Sequence, residues 1–201
     1  MRYFVGLTFI VVPLCDQCCI AVFGMPIVPD VLDENLKMII CGSALGNVSA
    51  AQKAYYAHPS NRFWKNLYIA GFTDRQLAPQ EYPQLLAYGI GMTDLCKEES
   101  GLDAQLSKDA YDETRLLQLI QKYQPRYLVF SGLRPARAFL RGCFDVPVNK
   151  VQAGLQPQQI GKTKIFATTS SSPLYPDQDR TLTLWHMLYQ QMLETSSVPT
   201  P

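Results

Sequence analysis

Three short segments of this 201-residue chain hold side chains that could do chemistry together. The first is Tyr55-Tyr56-Ala57-His58-Pro59-Ser60-Asn61-Arg62-Phe63-Trp64, which interleaves four aromatic rings with an imidazole, an amide and a guanidinium. Rings give flat faces on which a nucleobase stacks, Asn61 and His58 supply hydrogen bonds, and Arg62 can reach a phosphate. The second is Gly42-Ser43-Ala44-Leu45-Gly46-Asn47-Val48-Ser49, a glycine turn of the kind that can cradle a phosphate. It lacks the Lys-Ser/Thr ending of a P-loop and the full Gly-x-Gly-x-x-Gly of a dinucleotide site, so Gly42 and Gly46 taken alone are turn glycines. The third is Thr168-Thr169-Ser170-Ser171-Ser172-Pro173. Asp94 closes the apolar stretch Ile90-Gly91-Met92-Thr93, where a carboxylate serves chemistry or caps a helix. With only two histidines, His58 and His186, no Ser/His/Asp order suggests a hydrolase triad.

The elements that must carry these groups alternate between buried strands and amphipathic helices. Met38–Cys41, Tyr127–Phe130 and Lys164–Thr168 read as buried strands of a parallel sheet. Ser49 with Gln52, and Thr73 with Gln76, read as capping boxes that open helices. Phe63 to Ala70 reads as a helix ended by Gly71, and Leu85-Leu86-Ala87 as a short helix ended by Gly89. A further helix carries Leu116, Leu119, Ile120 and Tyr123 and stops before Pro125. Pro135 opens the next, with Arg134, Arg137 and Arg141 on one face. Leu182, Trp185, Tyr189 and Met192 form the core stripe of the last. The pattern predicts one α/β domain over residues 25–194, whose ligands bind outside the carboxyl ends of its strands.

Composition narrows the class. Hydrophobic residues make up 47% and charged residues 17%, which excludes a disordered or fibrous chain. The net charge is +1, but residues 1–113 carry 8 basic and 13 acidic side chains against 10 and 4 in residues 114–201, as a locally basic face would produce. The six cysteines, Cys15, Cys18, Cys19, Cys41, Cys96 and Cys143, are not spaced as a secreted disulfide scaffold, and buried thiols in a reducing compartment are the plainer reading. Cys15-x-x-Cys18 has no second pair to complete a zinc site, and a cluster using Cys15, Cys18, Cys96 and Cys143 is the weaker alternative, so no metal is expected. Tyr3 to Phe23 is mostly apolar, yet Pro13, Asp16 and Gln17 interrupt it, leaving a run too short to span a bilayer. Residues 1–24 read as a dispensable or mis-assigned extension ahead of Met25, with a signal peptide as the runner-up. Thr195 to Pro201 reads as a mobile tail.

Taken as they stand, Gly42-Ser43-Ala44-Leu45-Gly46, Ser49-Ala50, Tyr56-Ala57-His58-Pro59-x-Asn61-Arg62-Phe63-Trp64 and Ala70-Gly71-Phe72-Thr73-Asp74-Arg75-Gln76-Leu77-x-Pro79-Gln80-Glu81 resemble the mismatch-specific uracil-DNA glycosylases, relatives of thymine-DNA glycosylase. The likeness runs from about Val28 to the last helix. It implies a three-layer α/β/α sandwich with a short, mainly parallel sheet. It also implies an enzyme without cofactor or metal that flips uracil, or a related deaminated or damaged base, out of DNA and hydrolyses its N-glycosidic bond, leaving an abasic site. Such an enzyme is a monomer with DNA as its partner, no membrane association, and a place in the cytoplasm at a bacterial nucleoid. By position the resemblance puts Gly42, Ala44, Tyr56, Phe63 and Ser170 at the base pocket, with the Tyr56 ring stacking on the base. It puts Ser49, Arg62 and Ser172 against DNA, and Leu174 as the wedge that fills the hole left in the stack.

One departure matters. The close relatives hold an asparagine that positions the attacking water where this chain has Ala44, and Leu45 replaces their proline. Ser43, Asn61, Ser170 or Asp94 could take over, and Asp94 is preferred because a carboxylate both stabilises a sugar cation and orients water. Two other readings stay open: a damaged-DNA-binding protein that kept the pocket and lost the chemistry, and a phosphate- or nucleotide-binding domain using only Gly42–Ser49.

Overall fold

Met38, Ile39, Ile40 and Cys41 are all fully buried, which a strand achieves only with both faces covered. In a computed structural model of the chain, which describes residues 26–107 and 109–194, that is how they lie. The predicted extension, 1–24, and the predicted tail, 195–201, fall outside the described residues. Strands β1 (Met38–Gly42), β2 (Ile90–Asp94), β3 (Tyr127–Ser131), β4 (Gly154–Ile160) and β5 (Thr163–Thr168) form one sheet in the order β2-β1-β3-β5-β4. Every neighbouring pair is parallel except β4 with β5.

Because side chains alternate along a strand, each strand feeds two cores. Met38, Ile40, Tyr127, Val129 and Phe166 face one side and meet helices α2 (Phe63–Ile69) and α5 (Gln178–Glu194) through Phe63, Leu67, Trp185 and Leu188. Ile39, Cys41, Leu128, Phe130 and Ile165 face the other and meet α3 (Glu113–Tyr123) and α4 (Leu133–Phe144) through Leu116, Ile120, Phe139 and Leu140. The result is the expected three-layer α/β/α sandwich. The short helix α1 (Asn47–Gln52) and a 3-10 stretch, Pro79–Tyr88, complete the connection from β1 to β2. That connection runs over the first side, while α3, on the second side, leads from β2 back past β1 to β3. The carboxyl ends of β1 and β3 therefore part company at a topological switch point, the place where such sheets open a crevice.

Four local expectations need correction. Ser49 does not cap a helix, since α1 already begins at Asn47 behind Gly46, and its hydroxyl accepts the Ala57 N–H at 2.9 Å instead. Thr73 with Gln76 opens no helix; the turn waits for Pro79, where the Glu81 carboxylate accepts the Ala78 N–H. The buried stripe of α5 is Thr181, Leu184, Trp185, Leu188 and Met192, leaving Leu182 and Tyr189 half-buried. Strand β4 was not foreseen, because Gln156-Pro157-Gln158-Gln159 is polar and holds a proline. As an edge strand it can afford both. Among the described residues no helix is long and apolar enough to cross a membrane.

Candidate active site

Parallel pairing places Gly42 and Asp94 side by side at the carboxyl ends of β1 and β2, and Ser131 ends β3 on the other side of β1. The Asp94 carboxylate lies over Gly42. A β-carbon added to Gly42 would stand 2.3 Å from Asp94 Oδ1 and 3.1 Å from the Tyr56 hydroxyl oxygen. Glycine at 42 is thus the space that lets a carboxylate and a phenol meet above the strand end.

Tyr56 reaches that space from a strained backbone, with φ at +52°, a region that a non-glycine residue enters only when its surroundings hold it there. The surroundings are evident. Its ring stacks on Phe63, with centroids 3.8 Å apart and planes 14° from parallel, and Phe63 is in turn edge-on to Trp64 and Trp185. The Ser49 hydroxyl fixes the next residue by accepting the Ala57 N–H.

Three buried polar atoms converge here: Asp94 Oδ2 has no hydrogen-bonding partner, and the Tyr56 hydroxyl and Ser131 Oγ have none beyond each other. Folded proteins pair nearly all such atoms, so three together mark a place built for a polar guest. Burial pushes the Asp94 carboxyl up to about 7, against the pull of Lys97 and Arg115 and with the push of Asp30. Burial, and then the Asp94 charge, push the Tyr56 phenol far above its ordinary range, with the Ser131 hydroxyl beside it acting the other way. At neutral pH the site presents a neutral phenol and a carboxyl close to half-ionised.

Of the other expected site residues, some join this centre and some do not. Ala44 follows on the chain and is half-buried. Ser43 turns to Tyr111, whose phenol is raised by burial and lowered by the Ser43 hydroxyl beside it. Asn61 Oδ1 accepts the Phe63 N–H at 3.0 Å and so starts α2, which makes its amide oxygen a structural group. Phe63 is fully buried behind Tyr56, one layer back from the pocket. Ser49 is 5% exposed and its oxygen accepts the Ala57 N–H, which leaves its O–H as the group it could offer to a ligand. Ser170 Oγ accepts the Ser172 N–H, and Ser172 Oγ accepts the Leu174 N–H, so both hydroxyls shape the loop after β5. That loop is tied to the aromatic segment, because the Arg62 N–H donates to the Ser171 carbonyl at 3.1 Å. Leu174 stands at its tip, 73% exposed. Of the cysteines suggested for a cluster, Cys96 pairs with Glu99 and Cys143 with the Glu113 carbonyl, and the described residues contain no group of three or more side chains placed to hold a metal ion. Cys15 and Cys18 lie outside the described residues.

Ser131 was missed by the sequence reading. The signal was available: a polar residue between a buried strand, Tyr127–Phe130, and Gly132, at the carboxyl end of a central parallel strand.

Residues 29–190 match the family model of the uracil DNA glycosylase superfamily, and the chain belongs to that superfamily. Among solved structures, the solution NMR structure of a Methanosarcina acetivorans protein, provisionally described as a uracil DNA glycosylase, is similar to it. The TM-score is 0.56 at 24% identity, covering 83% of this chain and 96% of that one. That likeness concerns the fold.

Proposed function

We propose that this protein is a monofunctional DNA glycosylase of the mismatch-specific uracil and thymine-DNA glycosylase branch, releasing uracil or a related deaminated base. The observation that carries the reading is the Asp94 carboxyl, buried and unpartnered against Gly42 at the switch point, with an aromatic ring and an exposed leucine on linked loops beside it.

A base inside a duplex is out of reach, so the nucleotide swings out at a cost of a few kcal/mol, least at a mismatch. Leu174 enters the stack in its place, and Tyr56 offers its ring to the base. As the C1′–N bond breaks, both electrons leave with the base and positive charge grows on the sugar. The ionised Asp94 carboxylate stabilises that charge and orients a water, whose oxygen bonds to C1′. The water's proton passes to the carboxylate, and the base anion takes a proton from solvent. Ala44 cannot hold the water, and Asp94 makes an amide there unnecessary.

Alkali-induced strand scission on oligonucleotides carrying uracil opposite guanine, opposite adenine or unpaired tests the reading. Wild-type protein releases the base and leaves a site that alkali then cuts, and Asp94→Asn turns over on the order of a hundredfold more slowly, the usual scale for one positioned acid or base. Because the ionised form does the work, the wild-type rate climbs as pH rises through about 7 and levels above it. Retained binding of uracil-containing or abasic DNA with no base release from any substrate would move the assignment to a damaged-DNA-binding protein.

A further inference from the structure

Asp94 is not the only carboxylate at this end of β2. Asp30, in the segment leading to β1, accepts hydrogen bonds from Thr93 Oγ1 at 2.7 Å and from Arg115 Nη1 at 2.8 Å, and its other ion pair is with Lys97 Nζ at 3.0 Å. Both cations are further committed. Lys97 Nζ donates to the Tyr55 hydroxyl at 2.8 Å, with that side chain only 10% exposed, and Arg115 Nη2 donates to the Asp94 main-chain carbonyl at 2.6 Å. So two cations sit against the residue whose carboxylate is unpartnered, and neither forms an ion pair with that carboxylate. An unpaired buried carboxylate beside two positive groups is a costly arrangement, and a fold tolerates it where something holds the cations elsewhere.

We infer that Asp30 is a positioning residue: by engaging Lys97 and Arg115 together it denies either cation to Asp94 and leaves that carboxyl free for substrate. The inference rests on the reading of Asp94 as the group that acts on the sugar. It adds a residue from outside the site, contributed by the chain ahead of the sheet.

The groups that face Asp94 are few. Gly42 offers no side chain, Tyr56 and Ser131 offer hydroxyls, Tyr55 offers a phenol and Cys41 a buried thiol that desolvation and then the Asp94 charge push upward, and Lys97, Arg115 and Asp30 offer charges. Burial raises the Asp94 carboxyl, Lys97 lowers it, Asp30 raises it and Arg115 lowers it. Removing Asp30 therefore leaves two cations uncompensated and favours an ionised, ion-paired Asp94. Removing Lys97 does the opposite. A residue that only supported the fold would change the rate at every pH and leave the midpoint in place.

The test is the titration of Asp94 itself, followed by carbon NMR of side-chain-labelled aspartate in the full chain, with pH–rate profiles for uracil release measured in parallel. Asp30→Asn moves the Asp94 midpoint toward acid by about one unit or more, the usual effect of a close charge. Lys97→Met moves it toward alkali, and the double variant, which removes one charge of each sign, returns it toward wild type. If Asp30→Asn does not fold, Lys97→Met and the double variant still carry the test. An unmoved midpoint, or movement in the same direction in both single variants, overturns the inference. Midpoints that move while the rate profiles stay fixed would remove Asp94 from the chemistry, overturning the proposed function, and would leave of the inference only that Asp30 holds Lys97 and Arg115 off the Asp94 carboxyl.

Discussion

A carboxyl held near 7 by burial has a thermodynamic signature as well as a kinetic one. In the unfolded chain an aspartate titrates at about 3.9. Between that value and about 7 the folded protein binds more protons at Asp94 than the unfolded chain does. Stability contributed by this residue is therefore lost as pH rises through that window, and the full cost falls above it. Asp94→Asn removes the cost. We expect the variant to be more stable than wild type at pH 8 by on the order of a few kcal/mol, and so to melt higher, with the difference fading by about pH 4. Thermal unfolding at the two pH values decides it, and equal melting at pH 8 would mean that the carboxyl is already paired. A residue whose removal slows the reaction and stabilises the fold is one retained for function.

At the scale of elements, the site depends on how closely β1 and β2 let their ends approach. Gly42→Ala puts a methyl group where the Asp94 carboxylate and the Tyr56 hydroxyl stand, so one of them must move. Overpacking of this kind costs about 1–3 kcal/mol of stability. The activity loss should be nearer to that of Asp94→Asn, and a Gly42→Ala variant with wild-type turnover would show that the placing of the Asp94 carboxylate over Gly42 does not matter to the reaction. The loop after β5 gives a contrasting case. Leu174 is 73% exposed, so Leu174→Ala should leave melting unchanged while weakening binding to uracil-containing duplex at least tenfold, measured by fluorescence anisotropy. The same distinction governs what the sequence made legible. Strands β1, β3 and β5 announced themselves because burial on both faces demands uninterrupted apolar runs. Strand β4 did not, since Gln156-Pro157-Gln158-Gln159 holds no apolar run, and its one local sign was the two-residue turn Gly161-Lys162 between Ile160 and Thr163, with Gly161 at φ +58°. Asp94 was readable as an acid closing an apolar stretch, though not as the end of a strand. That Asn61 and Ser49 spend their oxygens on the Phe63 and Ala57 N–H groups was not, because side-chain-to-backbone bonds of this kind are settled only once the loops are folded.

Part of the basic excess of residues 114–201 is gathered on one helix. Helix α4 leaves the carboxyl end of β3, where Ser131 meets the pocket, and carries Arg134, Arg137 and Arg141 along one groove with Tyr111 and Val148. Arg134 lies 3.8 Å from Asp103, whereas among the described residues Arg137 and Arg141 have no carboxylate within ion-pair distance, although Asp109 and Glu113 line the same groove. A duplex whose lesion enters at the switch point has flanking phosphates to place, and a helix that starts at that point with two unpaired guanidiniums can receive them. Contacts of this type carry no sequence information, and each is recognised by the counterions it displaces. The double variant Arg137→Gln/Arg141→Gln should bind DNA more weakly whether or not uracil is present. The logarithm of its affinity should fall with the logarithm of salt about 2 less steeply than wild type, while uracil release from saturating substrate keeps its rate. An unchanged slope would place the flanking DNA on another face and leave the arginines of α4 as a solvated surface of the sandwich.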